Sequence, residues 1–217
     1  MFEEFKPIPR LFRDVTISEK IDGTNGQIYI RDTMDGLVTE QEPLVELDVL
    51  GFGEMGVVSK IYVNAGSRSR WVYNRKGEDN SGFAAWVVER APLLVEILGP
   101  GRHFGEFWGS GIQRKYGLTG DDKRFSLFHP KWITILRERL INDKPIPKGL
   151  GTVPILYEGI FLTREVEDCL FKLRTFGSIA APGFMDPEGV VIYHTAAQQY
   201  FKTTVRDDDK GKGQKDG

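Results

Sequence analysis

Apolar and polar residues alternate over two short stretches near the start of the chain, Val15 to Lys20 and Gly26 to Arg31, with the turn-forming cluster Asp22-Gly23-Thr24-Asn25 between them. A period of two predicts half-buried strands, and Asp-Gly and Asn-Gly pairs favour tight connections between strands. Lys20 therefore stands at a strand end beside a tight turn. Leu44 to Leu50 and Val57 to Val63 are rich in Val, Ile and Leu and predict two more strands. Phe83, Trp86, Val87, Leu94, Val95 and Leu98 then recur at helical spacing, so Phe83 to Leu98 predicts a helix that Pro92 should bend or split. His103 to Phe107 and Arg124 to Phe128 return to a strand pattern. Pro130 suits the first position of a following helix, whose apolar face would be Trp132, Ile133, Leu136, Leu140 and Ile141. Arg164 to Phe176 predicts a third helix with Thr163 as its cap, and Val153 to Phe161, Gly189 to His194 and Tyr200 to Val205 complete the strands.

Strands outnumber helices and arrive as hairpin-like neighbours rather than in strict alternation with helices. This predicts an α+β fold of mixed or antiparallel sheets with flanking helices. The pattern shows no internal repeat. Residues 1–206 read as one domain, and Asp207 to Gly217, which holds no apolar residue, reads as a disordered tail.

Composition narrows the function classes. With 29 Lys+Arg against 31 Asp+Glu, the formal charge of -2 excludes a protein that coats nucleic acid through bulk positive charge, although not a local patch. One such patch exists: Lys60, Arg68, Arg70, Arg75 and Lys76 surround Trp71 and Tyr73, with no acidic residue between Lys60 and Lys76. No apolar run approaches the roughly 18 residues of a membrane span, so no membrane role is expected. The first residues lack the basic end and apolar stretch of a signal peptide, and the lone Cys169 cannot form an internal disulfide. A reducing, cytoplasmic setting is the expectation.

Gly51-Phe52-Gly53-Glu54-Met55-Gly56 matches the GxGxxG pattern, but β-prone residues follow it where a dinucleotide site needs a helix. It reads as a hairpin or bulge. The chain has no kinase catalytic loop, Walker A lysine, zinc-spaced Cys/His set or G-x-S-x-G elbow.

Glu19-Lys20-Ile21-Asp22-Gly23-Thr24-Asn25-Gly26 is the most informative string. It sets a lysine at a strand end, two residues before an Asp-Gly turn, where the amine can stand over a pocket and glycine can let a phosphate approach the backbone. This string resembles the Lys-x-Asp-Gly signature of the covalent nucleotidyltransferases, the polynucleotide ligases and mRNA capping enzymes, and most closely the RNA ligases of the T4 RNA ligase 2 type. Five companions follow in order. Ser67-Arg68-Ser69-Arg70 resembles motif Ia, Phe104-Gly105-Glu106-Phe107-Trp108-Gly109 motif III, and Phe125-Ser126-Leu127-Phe128 motif IIIa. Glu188-Gly189-Val190-Val191-Ile192-Tyr193 resembles motif IV, and Tyr200-Phe201-Lys202-Thr203-Thr204 motif V.

The resemblance implies a nucleotidyltransferase (ATP-grasp-like) domain and an ATP-dependent RNA ligase. Lys20 would take AMP from ATP, pass it to a 5′-phosphate end, and release it when a 3′-hydroxyl seals the strand, in a nicked duplex or single-stranded RNA. It also implies roles. Glu19 and Lys20 lie at the nucleotide, Glu106 meets the ribose hydroxyls, Phe128 (with Phe125 as second choice) stacks on adenine, and Lys202 holds the α-phosphate. Glu188 would hold Mg2+ or Mn2+, which suits a carboxylate-and-phosphate site. Asp22 would orient Lys20 and act in the later steps, and Asn25 and Arg70, with Arg68 close behind, would sense the 5′-phosphate end. A free lysine is only about one part in a thousand neutral at pH 7.4, a handicap of roughly 4 kcal/mol, so neighbouring cations or a metal are expected to favour the neutral amine.

Two departures stand out. Motif V usually offers Lys-x-Lys, but Thr204 stands at the second place, with Arg206 a candidate substitute. Too little chain follows Lys202 for an appended OB-type or helical domain, so a minimal ligase, one served by a helper domain or protein, or a piece cut from a longer protein is expected. Two rivals share the pocket: a GTP-using capping guanylyltransferase and a non-catalytic module that binds nucleic-acid ends.

Overall fold

Alternation builds the first strand, β1 (Asp14–Lys20), which buries Val15, Ile17 and Glu19 on one face and turns Thr16, Ser18 and Lys20 to the other. The remaining strands are β2 (Thr24–Asp32), β3 (Val45–Leu50), β4 (Val58–Gly66), β5 (Trp71–Val72), β6 (Gly101–Gly109), β7 (Lys123–Leu127), β8 (Leu150–Thr152), β9 (Ile155–Ile160), β10 (Gly189–His194) and β11 (Gln199–Thr204). The helices are α1 (Phe83–Leu98), α2 (Lys131–Ile141) and α3 (Thr163–Phe176). The computed structural model describes residues 7–32, 42–50 and 58–206. The start of the chain, the glycine cluster at 51–56 and the tail at 207–217 lie outside the described residues.

The described chain divides into two compact units, one drawn from Met1–Asp22 and Val153–Gly217 and the other from Gly23–Thr152. The first unit carries a four-stranded antiparallel sheet in the order β11-β10-β1-β9. Its buried face meets α3, where Cys169, Leu170 and Leu173 pack with Val15, Ile17, Val190 and Ile192. The second unit carries seven described strands, in the order β3-β4-β2-β6-β7-β8 with β5 paired to β4. Only β7 and β8 run parallel among these pairs. Its core joins Ile28, Ile30, Val63, Phe107, Phe125 and Leu127 of the sheet to Phe83, Trp86, Val87 and Leu94 of α1. Phe83 lies 5.0 Å from Phe107 and 5.2 Å from Phe125 between ring centroids. The α+β expectation therefore holds, with helices on one face of each sheet.

Five local expectations differ. The Asp22-Gly23-Thr24-Asn25 cluster closes no hairpin, because Thr24 and Asn25 already belong to β2 and β1 and β2 pair in different sheets. The α1 helix runs through Pro92 unbroken, because Pro92 sits on the exposed side, where water can reach the Val88 carbonyl that loses its bond. Thr163 is the first residue of α3 rather than its cap, which falls on Leu162 and offers no side-chain bond. On α2 only Trp132 and Leu136 are buried, and Ile133, Leu140 and Ile141 of the expected apolar face are exposed. The run from Val153 to Phe161 holds β9 only, because the chain leaves the second unit at Thr152 and Pro154 interrupts the ladder. No helix among the described residues is long and apolar enough to cross a membrane.

Candidate active site

In the first unit, Lys20 ends β1 directly opposite Gly189 of β10. Its Nζ donates to Glu188 Oε2 at 2.5 Å, and both side chains keep partial exposure. Glu188 is fixed from behind, since its carbonyl accepts the Val205 amide at 2.9 Å. Register extends the line: Gly189 faces Thr204, and Val191 faces Lys202. Side chains on directly paired residues share a sheet face, so Lys20, Lys202 and Thr204 lie on one face and Thr203 on the other. A Cβ on Gly189 would stand 2.2 Å from the Thr203 carbonyl oxygen, so the strand pair at this point requires glycine.

Glu19 points to the opposite face and is 1% exposed. Its Oε1 accepts the Ser178 hydroxyl at 2.5 Å, and its Oε2 accepts the amides of Ile179 at 2.8 Å and Ala180 at 2.9 Å. Ser178 Oγ in turn accepts the Ala181 amide at 3.0 Å. The carboxylate expected at the nucleotide is thus engaged inside the protein, where three donors offset the cost of burying it. Nothing in the sequence marks residues 178–181 as its partners. Arg206, the candidate substitute for the missing lysine, forms a two-pronged bond with Asp186 at 2.7 and 2.8 Å, and its charge is committed there. Asp22, half-buried, is the last residue of this unit.

In the second unit the register sets Asn25 of β2 opposite Glu106 of β6. Glu106 Oε2 accepts Asn25 Nδ2 at 2.8 Å, and its Oε1 accepts the Gly23 amide at 3.1 Å. Asn25 Oδ1 accepts Arg68 Nε at 2.9 Å. A carboxylate can only accept, so it forces the Asn25 amide to turn its NH2 inward and its oxygen toward Arg68. Arg70 stands apart from this chain of bonds and donates to the Glu78 carbonyl at 3.2 Å. Of the two arginines of the Ser-Arg-Ser-Arg segment, Arg68 is the one tied to Asn25.

Both glycines of the Gly23-Thr24-Asn25-Gly26 segment have packing reasons. A Cβ on Gly23 would meet the Phe107 carbonyl oxygen at 2.4 Å, and one on Gly26 would meet the Phe83 ring at 2.7 Å. Alternation along β7 separates the two candidate aromatics. Phe125 and Leu127 are fully buried in the core, while Phe128 is 37% exposed and has its amide bonded to the Phe104 carbonyl at 3.0 Å. Phe125 cannot offer a ring face to a ligand; Phe128 can.

Among the described residues no group of three or more His, Cys, Asp or Glu is arranged to hold a metal ion. A divalent cation that relies on one or two carboxylates plus phosphate oxygens and water does not need such a group, and Glu188 beside Lys20 fits that donor set. The first unit thus offers an amine, a carboxylate and a second lysine on one sheet face, and the second unit offers a buried carboxylate, an amide, an arginine and an exposed ring.

The fold is similar to that of Naegleria gruberi RNA ligase. A lysine-substituted variant of that ligase, with AMP and Mn, matches at a TM-score of 0.51 and 13% identity over 94% of this chain and 53% of that one. A glutamate-substituted variant, also with AMP and Mn, matches at 0.51 and 14% identity over 90% of this chain and 51% of that one. The chain therefore spans about half the length of these solved relatives. No curated protein matches it in sequence. A family model described as RNA ligase matches residues 13–206.

Proposed function

The chain belongs to the RNA ligase family, and from that premise we propose that it is an ATP-dependent ligase that joins a 5′-phosphate to a 3′-hydroxyl of RNA through a lysyl-AMP intermediate. The observation that carries this reading is Lys20 at the end of β1, with its Nζ on Glu188 and with Lys202 on the same sheet face. In the first step Nζ attacks the α-phosphorus of ATP, a P–N bond forms, and the bond to pyrophosphate breaks. The amine must shed a proton, and Glu188 Oε2 is the acceptor already in contact with it. In the second step an oxygen of the RNA 5′-phosphate displaces Lys20 and takes the AMP. In the third, the 3′-hydroxyl attacks the activated phosphate and AMP leaves.

Glu188 would hold Mg2+ or Mn2+ together with phosphate oxygens, and the metal would supply charge that polarises the reacting phosphoryl group. Lys202 stabilises the negative charge that builds on the α-phosphate oxygens. Thr204 adds a hydroxyl on the same face but no charge. Glu106 meets the ribose hydroxyls with the lone pairs it does not give to Gly23 and Asn25, and Phe128 stacks on adenine. Asp22 orients Lys20 and serves the later steps. Asn25 and Arg68 receive the 5′-phosphate end, and Glu19 acts as a positioning residue that secures residues 178–181 behind β1.

The test is joining of a labelled strand with a 5′-phosphate to one with a 3′-hydroxyl, in ATP and Mg2+, with GTP in a parallel reaction. A sealed product with ATP, preceded by adenylated RNA, is expected. Preference for GTP, or binding of RNA ends with no AMP transfer, would overturn the proposal.

A further inference from the structure

The second unit turns an aromatic and basic face away from its core, and the nucleotide chemistry above uses only one end of it. Along β2, alternation puts Asn25, Gln27, Tyr29 and Arg31 on the side opposite Ile28 and Ile30. Register aligns Gln27 with Phe104 and Tyr29 with Arg102 of β6. Tyr29 stacks on Trp71 of β5, with centroids 6.0 Å apart and planes 18° off parallel. The Arg102 guanidinium lies 4.0 Å from the Tyr29 ring centroid and 5.5 Å from that of Trp71. Phe104 is 51% exposed, a large ring on a strand with nothing to gain from water. Beside it in register, the Gln27 side-chain nitrogen is buried with no hydrogen-bond partner among the described residues.

No acidic residue interrupts the rows Gln27, Tyr29, Arg31 and Arg102, Phe104. At the far edge Glu46 is paired with Lys60 and Asp48 stands opposite Lys60 in register, and at the near end Glu106 is bonded to Asn25. Exposed Arg68 and Arg70 closely precede Trp71 in the chain. Rings and guanidinium planes, with the negative charge held to the two ends of the face, suit unpaired nucleobases joined by phosphates. A fully paired duplex hides the base faces that the rings would cover.

We propose that this face is a platform for single-stranded RNA leading to the end being sealed. Bases stack on Phe104 and on the Tyr29, Trp71 and Arg102 layer, and Arg68 and Arg70 neutralise phosphates. The proposal deepens the ligase reading and rests on it for the identity of the nucleic acid; it names unpaired RNA as the substrate class.

Trp71 makes the test direct, because the other three tryptophans, Trp86, Trp108 and Trp132, are buried. The full chain is titrated, without ATP, with a 12-nucleotide oligo(A) RNA lacking joinable ends, and intrinsic fluorescence is followed. Quenching is expected for the wild type and is lost in Trp71→Phe, which keeps an aromatic stack and still binds. Phe104→Ala and Trp71→Ala each weaken binding about 5- to 150-fold. Quenching that survives Trp71→Phe, alanine variants that bind within twofold of wild type, or equal quenching by a blunt duplex would each overturn the platform. AMP capture is measured in parallel without RNA. Capture together with an unquenched titration sinks the platform alone, whereas a wild type that captures no AMP sinks the ligase reading by itself.

Discussion

Replacing Glu106 by Gln tests the bond chain that holds the Gly23-Thr24-Asn25 segment. The carboxylate accepts from two donors, the Gly23 amide at 3.1 Å and Asn25 Nδ2 at 2.8 Å, and Asn25 Oδ1 accepts from Arg68. Glutamine offers one oxygen in place of two. If that oxygen stays on the Gly23 amide, the new NH2 faces the Asn25 NH2. If Asn25 flips to receive it, the Asn25 NH2 turns onto Arg68 Nε instead. The first arrangement leaves a partly buried donor unsatisfied, at about 1–3 kcal/mol, and the second moves the mismatch onto the exposed Arg68 bond. At about 2 kcal/mol, a chain of this size loses about 4–8 °C of melting temperature. The cost should shrink in an Arg68→Ala background, because Asn25 is then free to flip; a double-mutant cycle followed by thermal and urea denaturation should give a coupling of about 1 kcal/mol. A melting shift below about 1 °C, or costs additive within about 0.3–0.5 kcal/mol, would refute the reasoning.

Gly23→Ala should destabilise the protein by about 1–3 kcal/mol, since its Cβ would stand 2.4 Å from the Phe107 carbonyl oxygen, and AMP capture should fall with it. A stable variant that merely lost AMP capture would instead assign the glycine to phosphate approach; melting and labelling together decide. Glu19→Gln removes one of the two acceptors that hold Ser178, Ile179 and Ala180, so hydrogen exchange at the Ile179 and Ala180 amides should accelerate while amides of α1 stay protected. Burial holds the His103 imidazole below its usual pKa, with Lys131 adding to the effect and the bond to the Gly99 carbonyl opposing it. The folded state therefore binds this proton less readily than the unfolded one. His103 contributes stability above the ordinary value of about 6.5, and that contribution is lost as pH falls below it, by at most about 1.4 kcal/mol per pH unit. Urea titrations from pH 7.5 to 5 should show this slope, and His103→Phe should flatten it.

The strand carrying Lys20 was legible because alternation is a local signal, whereas the Asp-Gly pair suggested a hairpin that does not form, since β1 and β2 join different sheets. The α+β class was legible from the same alternation. The family resemblance ranked Phe128 above Phe125, but the apolar pattern by itself could not separate them, since only the pairing of β7 decides which parity meets α1. The break at Pro154 was hidden in a continuous apolar run, because the transfer of the chain from one sheet to another is a tertiary event. Trp71–Val72 is too short to show a period at all. The bonds from Glu19 to residues 178–180, from Arg68 to Asn25 and from Arg206 to Asp186 join segments distant in sequence, and no motif records them. Sequence order thus located the chemistry-bearing residues, and register determined which of them share a face.

The most direct measurement is the mass of the intact protein after incubation with ATP and a divalent metal, followed by peptide mapping of the modified residue. The account predicts a gain of one AMP on Lys20, absent from Lys20→Ala and removed by pyrophosphate. An unchanged mass in protein shown to start free of AMP, or an equal gain in Lys20→Ala, would contradict it.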